Sequence, residues 1–257
     1  MTPRDSQKPS TDRSRTSNAR LVLAVLFAVS ILNFVDRQIL AILAGKIKAD
    51  LLITDAQLGF LYGTVFGIFY AIFGVPLGVY ADLGSRRKLI AVGLFLWSLM
   101  TAASGLAGGF AALACARIGV GIGEASASPA AYSLIADLFP KARRATALAL
   151  YSLGIYVGIG LSSYLGGAVV DGWSAAFPVG QEPFGLRGWQ VAFLVAGLPG
   201  LLLVPLVMSI REPARGAQEE TRIVPIDAPS PATARPGALQ AALREGLALM
   251  PLSRSSS

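Results

Sequence analysis

Apolar residues run along this chain in six long blocks, separated by short polar loops. The blocks cover residues 21–44, 56–80, 89–107, 110–136, 145–170 and 191–210. Each is long enough to carry a helix across a ~30 Å hydrocarbon core, which takes roughly 17–25 residues. Helices are the consistent reading, because an open strand in lipid leaves backbone polar groups unpaired. The pattern predicts an all-α integral membrane protein with six transmembrane helices. The competing reading is a soluble protein with buried core helices. Six such blocks in succession exceed what one soluble core buries.

The loops alternate in charge. One set carries Arg4, Lys8, Arg13, Arg15 and Arg20, then Arg86, Arg87 and Lys88, then Lys141, Arg143 and Arg144, then Arg211 and Arg215. The other set holds only Lys46, Lys48 and Arg187. Basic loops face the cytoplasm, so the asymmetry predicts both termini inside and a place in the plasma (inner) membrane. The net charge of +7 across 257 residues is therefore a topology signal rather than a nucleic-acid footprint. With 54% hydrophobic and only 14% charged residues, the rest of the composition agrees.

Outside the blocks, residues 1–20 are polar and basic and are expected to be a disordered cytoplasmic N-terminus. Residues 211–257 are expected to be a cytoplasmic segment. Its first part, to 236, reads as a Pro/Ala-rich linker. In its second part Leu239, Ala242, Leu243, Leu247 and Met250 recur at helical spacing, as on an amphipathic surface helix.

The two halves of the membrane region echo one another. Gly78 and Asp82 end the second block, and Gly167 and Asp171 end the fifth at the same spacing. Two inverted three-helix repeats are the expected organisation, a pattern found in transporters. Glycines recur every four residues at Gly59, Gly63 and Gly67 and again at Gly154 and Gly158, with Ser162 and Gly166 continuing the row. Such rows let helices approach closely, either as static packing or as a sliding contact. Pro76, Pro129, Pro199 and Pro205 are candidate kinks. The lone Cys115 excludes an intrachain disulfide and is expected to pack as a small apolar residue. There is no histidine, which removes His-based catalysis and His metal ligation.

Ionisable residues inside the blocks are the candidate chemistry. Asn33, Asp36 and Arg37 share one helical face, and Arg117, Gly121, Glu124 and Ser128 form a second stripe. At 1.5 Å per residue, Asp36 and Arg117 come to similar depths, so an Asp36–Arg117 pair with Glu124 nearer the midplane is geometrically open. Groups of this kind are costly in lipid and turn toward protein, water or a transport pathway. A structural ion pair is the plainer alternative. Burial favours a protonated carboxyl, whereas a neighbouring arginine favours the carboxylate. Asp36 or Glu124 could therefore exchange a proton, which Arg37 and Arg117 cannot.

The loop GVYADLGSRRK and the segments NFVDRQIL and ARIGVGIGEASASPAAYSLIADLFPKARRATALALYSLG resemble the major facilitator superfamily, in its spinster-like branch. Gly78, Ala81, Asp82, Arg86 and Arg87 match the family's loop pattern in register, and Tyr80, Leu83 and Ser85 depart from it. The resemblance covers about residues 21–215. It implies alternating-access transport of a small organic or lipid-like solute and a cytoplasmic gate at Gly78, Asp82, Arg86 and Arg87. Asp137, Arg143 and Arg144 match a second cytoplasmic cluster. Asn33, Asp36, Arg37, Arg117 and Glu124 are then the candidate substrate and proton-coupling residues. Family members have twelve helices, so the chain is expected to be the N-terminal six-helix half. It would work with a missing C-terminal half or by self-association. The alternative is a non-transporting membrane fragment or interaction module. No cofactor and no enzyme activity are expected. The chain lacks a phosphate-binding G-x-x-x-x-G-K-[ST] loop, and GVGIGEA lies inside an apolar helix rather than after a strand.

Overall fold

The computed structural model describes residues 9–178, 180–216 and 218. Their long elements are all helical: α1 Pro9–Ile42, α2 Ala44–Leu51, α3 Asp55–Gly59, α4 Phe66–Leu83, α5 Arg86–Ser104, α6 Phe110–Glu124, α7 Ala127–Leu138, α8 Lys141–Ala176 and α9 Gly188–Ser209. A π-helical stretch, Phe60–Val65, joins α3 to α4, and a 3-10 turn, Pro183–Gly185, precedes α9. Six continuous stretches are long and apolar enough to cross a membrane: Asn18–Ile42, Asp55–Leu83, Arg86–Ser104, Phe110–Leu138, Lys141–Ala176 and Gly188–Ser209. These are spans one to six; each overlaps one predicted block, and the first, third and sixth blocks run one to three residues past the helix end.

Local chemistry sets the boundaries. Thr54 opens α3 with a capping box, its hydroxyl accepting from the Gln57 amide while the Gln57 side chain accepts from the Thr54 amide. This satisfies donors a helix start leaves free. Ser85 caps α5 by accepting from the Lys88 amide. Span four is interrupted at Ala125 and Ser126. Pro129 explains the position, because its ring clashes with the carbonyl four residues earlier, that of Ala125. Pro76, Pro199 and Pro205 instead lie within continuous helices.

The packing reveals the repeat. Span one lies along span five, as span four lies along span two; spans one and six pack together, as do four and three; spans three and six meet each other. Exchanging each span with the one three further along leaves this set of neighbours unchanged. Because three is odd, the second triplet is inverted relative to the first, as expected.

Two hydrophobic clusters fill the interior. One includes Val29, Leu94, Trp97 and Val120 and reaches the Arg86 end. The other includes Val35, Ile39, Leu113 and Phe193 and reaches the opposite end. Asn33 and Arg117 sit where one cluster gives way to the other.

Three expectations differ. Helix α1 begins at Pro9, so residues 9–20 extend the first helix instead of forming a separate disordered segment. Cys115 is exposed rather than packed inside. Apolar residues suit lipid and protein interior equally well, so composition does not tell the two faces apart. The row Gly59, Gly63 and Gly67 faces open space, whereas Gly154 and Gly158 press on Ser30 and Ile31 of α1. The expected amphipathic helix at 239–250 lies outside the described residues.

Candidate functional site

The intramembrane site is built on the interrupted span and on the middle of α1. Glu124 ends α6, where the Pro129-induced break begins, and its side chain is fully buried. Arg37 reaches it from α1: its Nη2 donates to Glu124 Oε2 at 2.7 Å and its Nε donates to the same oxygen at 3.1 Å. The Arg37 side chain keeps 26% exposure, so this pair borders the uncovered side of the bundle. Aromatic rings surround the guanidinium. Its carbon lies 5.1 Å from the Phe34 ring centre, 4.8 Å from Phe66 and 5.2 Å from Tyr70. The Arg117 guanidinium sits 5.2 Å from Phe66 as well, so one ring serves two cations.

Asp36 and Arg117 are both buried, but they do not form the carboxylate–guanidinium pair that matched depths left open. Arg117 Nη1 donates to the Asp36 backbone carbonyl at 3.4 Å. Neither Asp36 carboxyl oxygen has a hydrogen-bond partner among the described residues, and neither do Arg117 Nε and Nη2, Glu124 Oε1 or Asn33 Nδ2. The physical reason is rotation: adjacent residues on a helix are about 100° apart. Arg37 therefore claims Glu124 while Asp36 turns inward. There it lies beside Trp97 and Thr101 of span three. Those two residues were not anticipated, and nor were Phe66 and Tyr70. Aromatics and Thr in apolar helices carry no signal until the helices are packed.

The second site lies at the Arg86 end. Arg86 is only 1% exposed, yet each of its donor groups is used. Its amide and Nε donate to Glu212 Oε1, and Nη2 donates to the Pro213 carbonyl. Nη1 donates to Ser133 and to Asp137. Ser85, a departure from the family pattern, donates its hydroxyl to Glu212 Oε2 at 2.8 Å. The backbone after span six is thereby strapped across spans two, three and four. Arg87 donates to the Ile210 carbonyl, Arg215 to the carbonyls of Ala81 and Gly84, and the Gly216 amide to Asp137 Oδ1. Arg144 Nη2 donates to the Ala136 carbonyl. Partial burial works to raise the Glu212 pKa, and hydrogen bonds from Arg86 and Ser85 outweigh it and hold the carboxyl below its ordinary value.

Asp82, Arg143 and Gly78 stand apart from this network. Asp82 is exposed and neither pairs with the arginines nor caps a helix among the described residues. Arg143 is exposed, and Gly78 faces open space. Glu212, rather than Asp82, is the carboxylate that pairs with Arg86 beside Asp137. It was missed because residues 211–236 read as a linker; its one signal was a lone acid directly after the last apolar block, on the basic side.

The family model of the Major Facilitator Superfamily matches residues 26–253. An MFS-type efflux pump of Mycolicibacterium smegmatis is 34% identical over 77% of this chain and 43% of its own length. Protein spinster homolog 1 of Homo sapiens is also 34% identical, over 80% of this chain and 37% of its own. The crystal structure of a bacterial homolog to the human lysosomal transporter Spinster, in an inward-facing and occupied conformation, superposes with a TM-score of 0.72 at 35% identity. It covers 78% of this chain and 46% of that one. The chain thus spans about two fifths of the length of these curated relatives. Six spans in two inverted triplets agree with these matches: the chain belongs to the Major Facilitator Superfamily, and within it is similar to spinster-type transporters.

Proposed function

We propose that this chain forms the N-terminal half of a proton-coupled transporter that moves a small organic or lipid-like solute by alternating access. The observation that carries the reading is the cluster of Asp36, Arg117 and Glu124, buried and incompletely hydrogen-bonded at membrane depth, with the half-buried Arg37 paired to Glu124. Unsatisfied buried polar groups cost free energy, and a cluster that retains several is poised to take up a proton, water or a ligand. Asn33 belongs to the same site. In this reading Glu124 holds Arg37 while it is ionised. Protonating Glu124 would free Arg37 for an anionic group of the solute, and Asp36 offers a second proton position.

The Arg86, Arg87, Asp137 and Arg144 cluster, with Glu212, acts as the latch on the cytoplasmic side of the plasma membrane, where the basic loops and both termini lie. Asp82, Arg143 and Gly78 are free to meet a second six-helix unit. Only 17% of the most apolar part of span two is buried, against 56% for spans three and four. That open face suits six further helices, from the rest of a longer chain or from a second copy.

The test is proton flux in liposomes that carry the protein together with its six-helix partner and enclose a pH-sensitive dye. Solutes of the small organic acid and lysolipid classes would be added outside. At least one should drive proton movement, and Glu124→Gln should abolish it. Solute uptake with no proton movement, equal in wild type and Glu124→Gln, would sink the coupling assignment.

A further inference from the structure

At the end of the bundle opposite Arg86, an open pocket of about 470 Å³ lies between α2, the end of α8 and the start of α9. It is the size of a small-molecule site. It takes no part in either cluster described above, and the inference drawn from it does not rest on the transport reading.

The polar groups of this pocket divide into those already used and those still available. Asp50 is used: Arg187 Nε lies 3.3 Å from Oδ1, and Trp189 Nε1 donates to Oδ2 at 2.8 Å. Trp173 Nε1 is used as well, donating to the Leu186 carbonyl at 2.9 Å. With both indole N–H groups satisfied, the two tryptophans offer the pocket apolar surface and ring π-electrons only. The Trp173 ring also packs on Phe177, with centroids 4.7 Å apart. Among the described residues, the Lys46 ammonium has no hydrogen-bond or ion-pair partner. Glu182 accepts the Gly180 amide on one oxygen and keeps the other available. Hydrogen bonds from its own amide and from Gly180 hold its carboxyl below the ordinary glutamate value, so it stays ionised. The pocket therefore presents an available cation, an available anion and an aromatic wall that attracts cations.

The rim says where the occupant comes from. Leu52 and Phe184 are the two non-glycine residues with positive φ among the described residues, at 52° and 58°. Bulky side chains rarely adopt this backbone region, and holding them there costs energy. Both side chains are turned almost fully outward, Leu52 to 88% and Phe184 to 97% exposure. Leu52 lines the pocket, and Phe184 lies in the turn between Glu182 and Arg187. Two strained, outward apolar side chains next to tryptophans at helix ends suit a membrane–water boundary.

We infer that this pocket holds the head group of a zwitterionic amino-phospholipid, with the phosphate at Lys46 and Arg187 and the ammonium between Glu182 and the Trp173 ring. The lipid is a resident of the leaflet on this side rather than cargo. Leu52 and Phe184 dip into the acyl region beside its chains.

Native mass spectrometry of the purified full chain tests this, using phosphatidylethanolamine and phosphatidylglycerol with identical acyl chains. Phosphatidylethanolamine should be retained in preference. Lys46→Gln and Glu182→Gln should each lower its retention about tenfold, the scale of a charge-assisted hydrogen bond. Lys48→Gln is the folding and charge control, because its amine pairs with Asp55 outside the pocket; retention should not change. Competition by soluble glycerophosphoethanolamine would mean that the head group alone suffices, and its failure to compete would mean that the membrane lipid is required. Equal retention of the two lipids, or retention unaffected by both pocket variants, would overturn the assignment.

Discussion

Arg86 and Arg117 are each 1% exposed, and in every other respect they differ. Arg86 spends all its side-chain nitrogens on two carboxylates, a hydroxyl and two carbonyls. Arg117 has one long bond to a carbonyl, and two of its nitrogens have no partner among the described residues. A buried cation that is fully paired holds structure together, and removing it strands its partners. One that is half-paired is destabilising as it stands and gains most from whatever completes its shell. The first is therefore read as a latch and the second as part of a working site. The same contrast separates Glu212, tied by Ser85 and Arg86, from Asp36, whose carboxyl has no hydrogen-bond partner among the described residues.

The largest effect should follow from breaking the latch. Arg86→Ala leaves Asp137 and Glu212 without their cation and should cost about 3 kcal/mol, the scale of a broken buried pair. Thermal unfolding in detergent would measure it, and Arg86→Lys should recover only part, since a lysine cannot span so many acceptors. Arg117→Met, by contrast, should leave the unfolding temperature close to wild type or raise it. A comparable loss from both variants would erase the distinction drawn above.

Next in size is the glycine contrast. A Cβ at Gly158 would stand 2.6 Å from the Ile31 carbonyl oxygen, so Gly158→Ala should destabilise by about 1–3 kcal/mol through overpacking. Gly67→Ala meets nothing within 4 Å and should stabilise the isolated bundle by about 0.5–1 kcal/mol through helix propensity. Both are read from the same unfolding curves.

Smaller again is Ser85→Ala, which removes an N-cap and a bond to Glu212 and should cost about 1 kcal/mol. The subtlest is a pH effect. Glu212 is held below its ordinary 4.5, so its contribution is complete above that value and is lost as the pH falls through its lowered folded-state value. Acid should speed hydrogen exchange at the Arg86 amide, which Glu212 accepts, and alkali should not release it. The Gly216 amide rests on Asp137 instead and reports whether the whole strap opens.

Much of this was legible in the chain. The six apolar blocks carried the spans, and the Gly78/Asp82 echo carried the repeat, because lipid imposes a length and a helix on any segment that crosses it. Asp36, Arg37, Arg117 and Glu124 stood out because charge is rare at that depth. Their pairing was not legible. Depth along two helices fixes height but not rotation, and one residue of rotation hands Glu124 to Arg37. Glu212 escaped because its partner Arg86 is some 126 residues away in sequence, and its own neighbourhood resembles a linker. Which glycine row is packed depends on where span one runs, which no local spacing encodes.

We propose that Asp36 and Glu124 each take up and release a proton inside the bundle. Infrared difference spectra of the membrane-reconstituted protein, taken between acidic and alkaline buffer, report that exchange at the carboxyl C=O stretch. A protonated-carboxyl band should appear in acid; the component carried by Asp36 and Glu124 should shrink in Asp36→Asn or Glu124→Gln and be missing from the double variant, while the signal of the chain's other carboxyls, Glu212 among them, remains. A carboxyl band of the same shape and intensity in the wild type and the double variant would contradict the account.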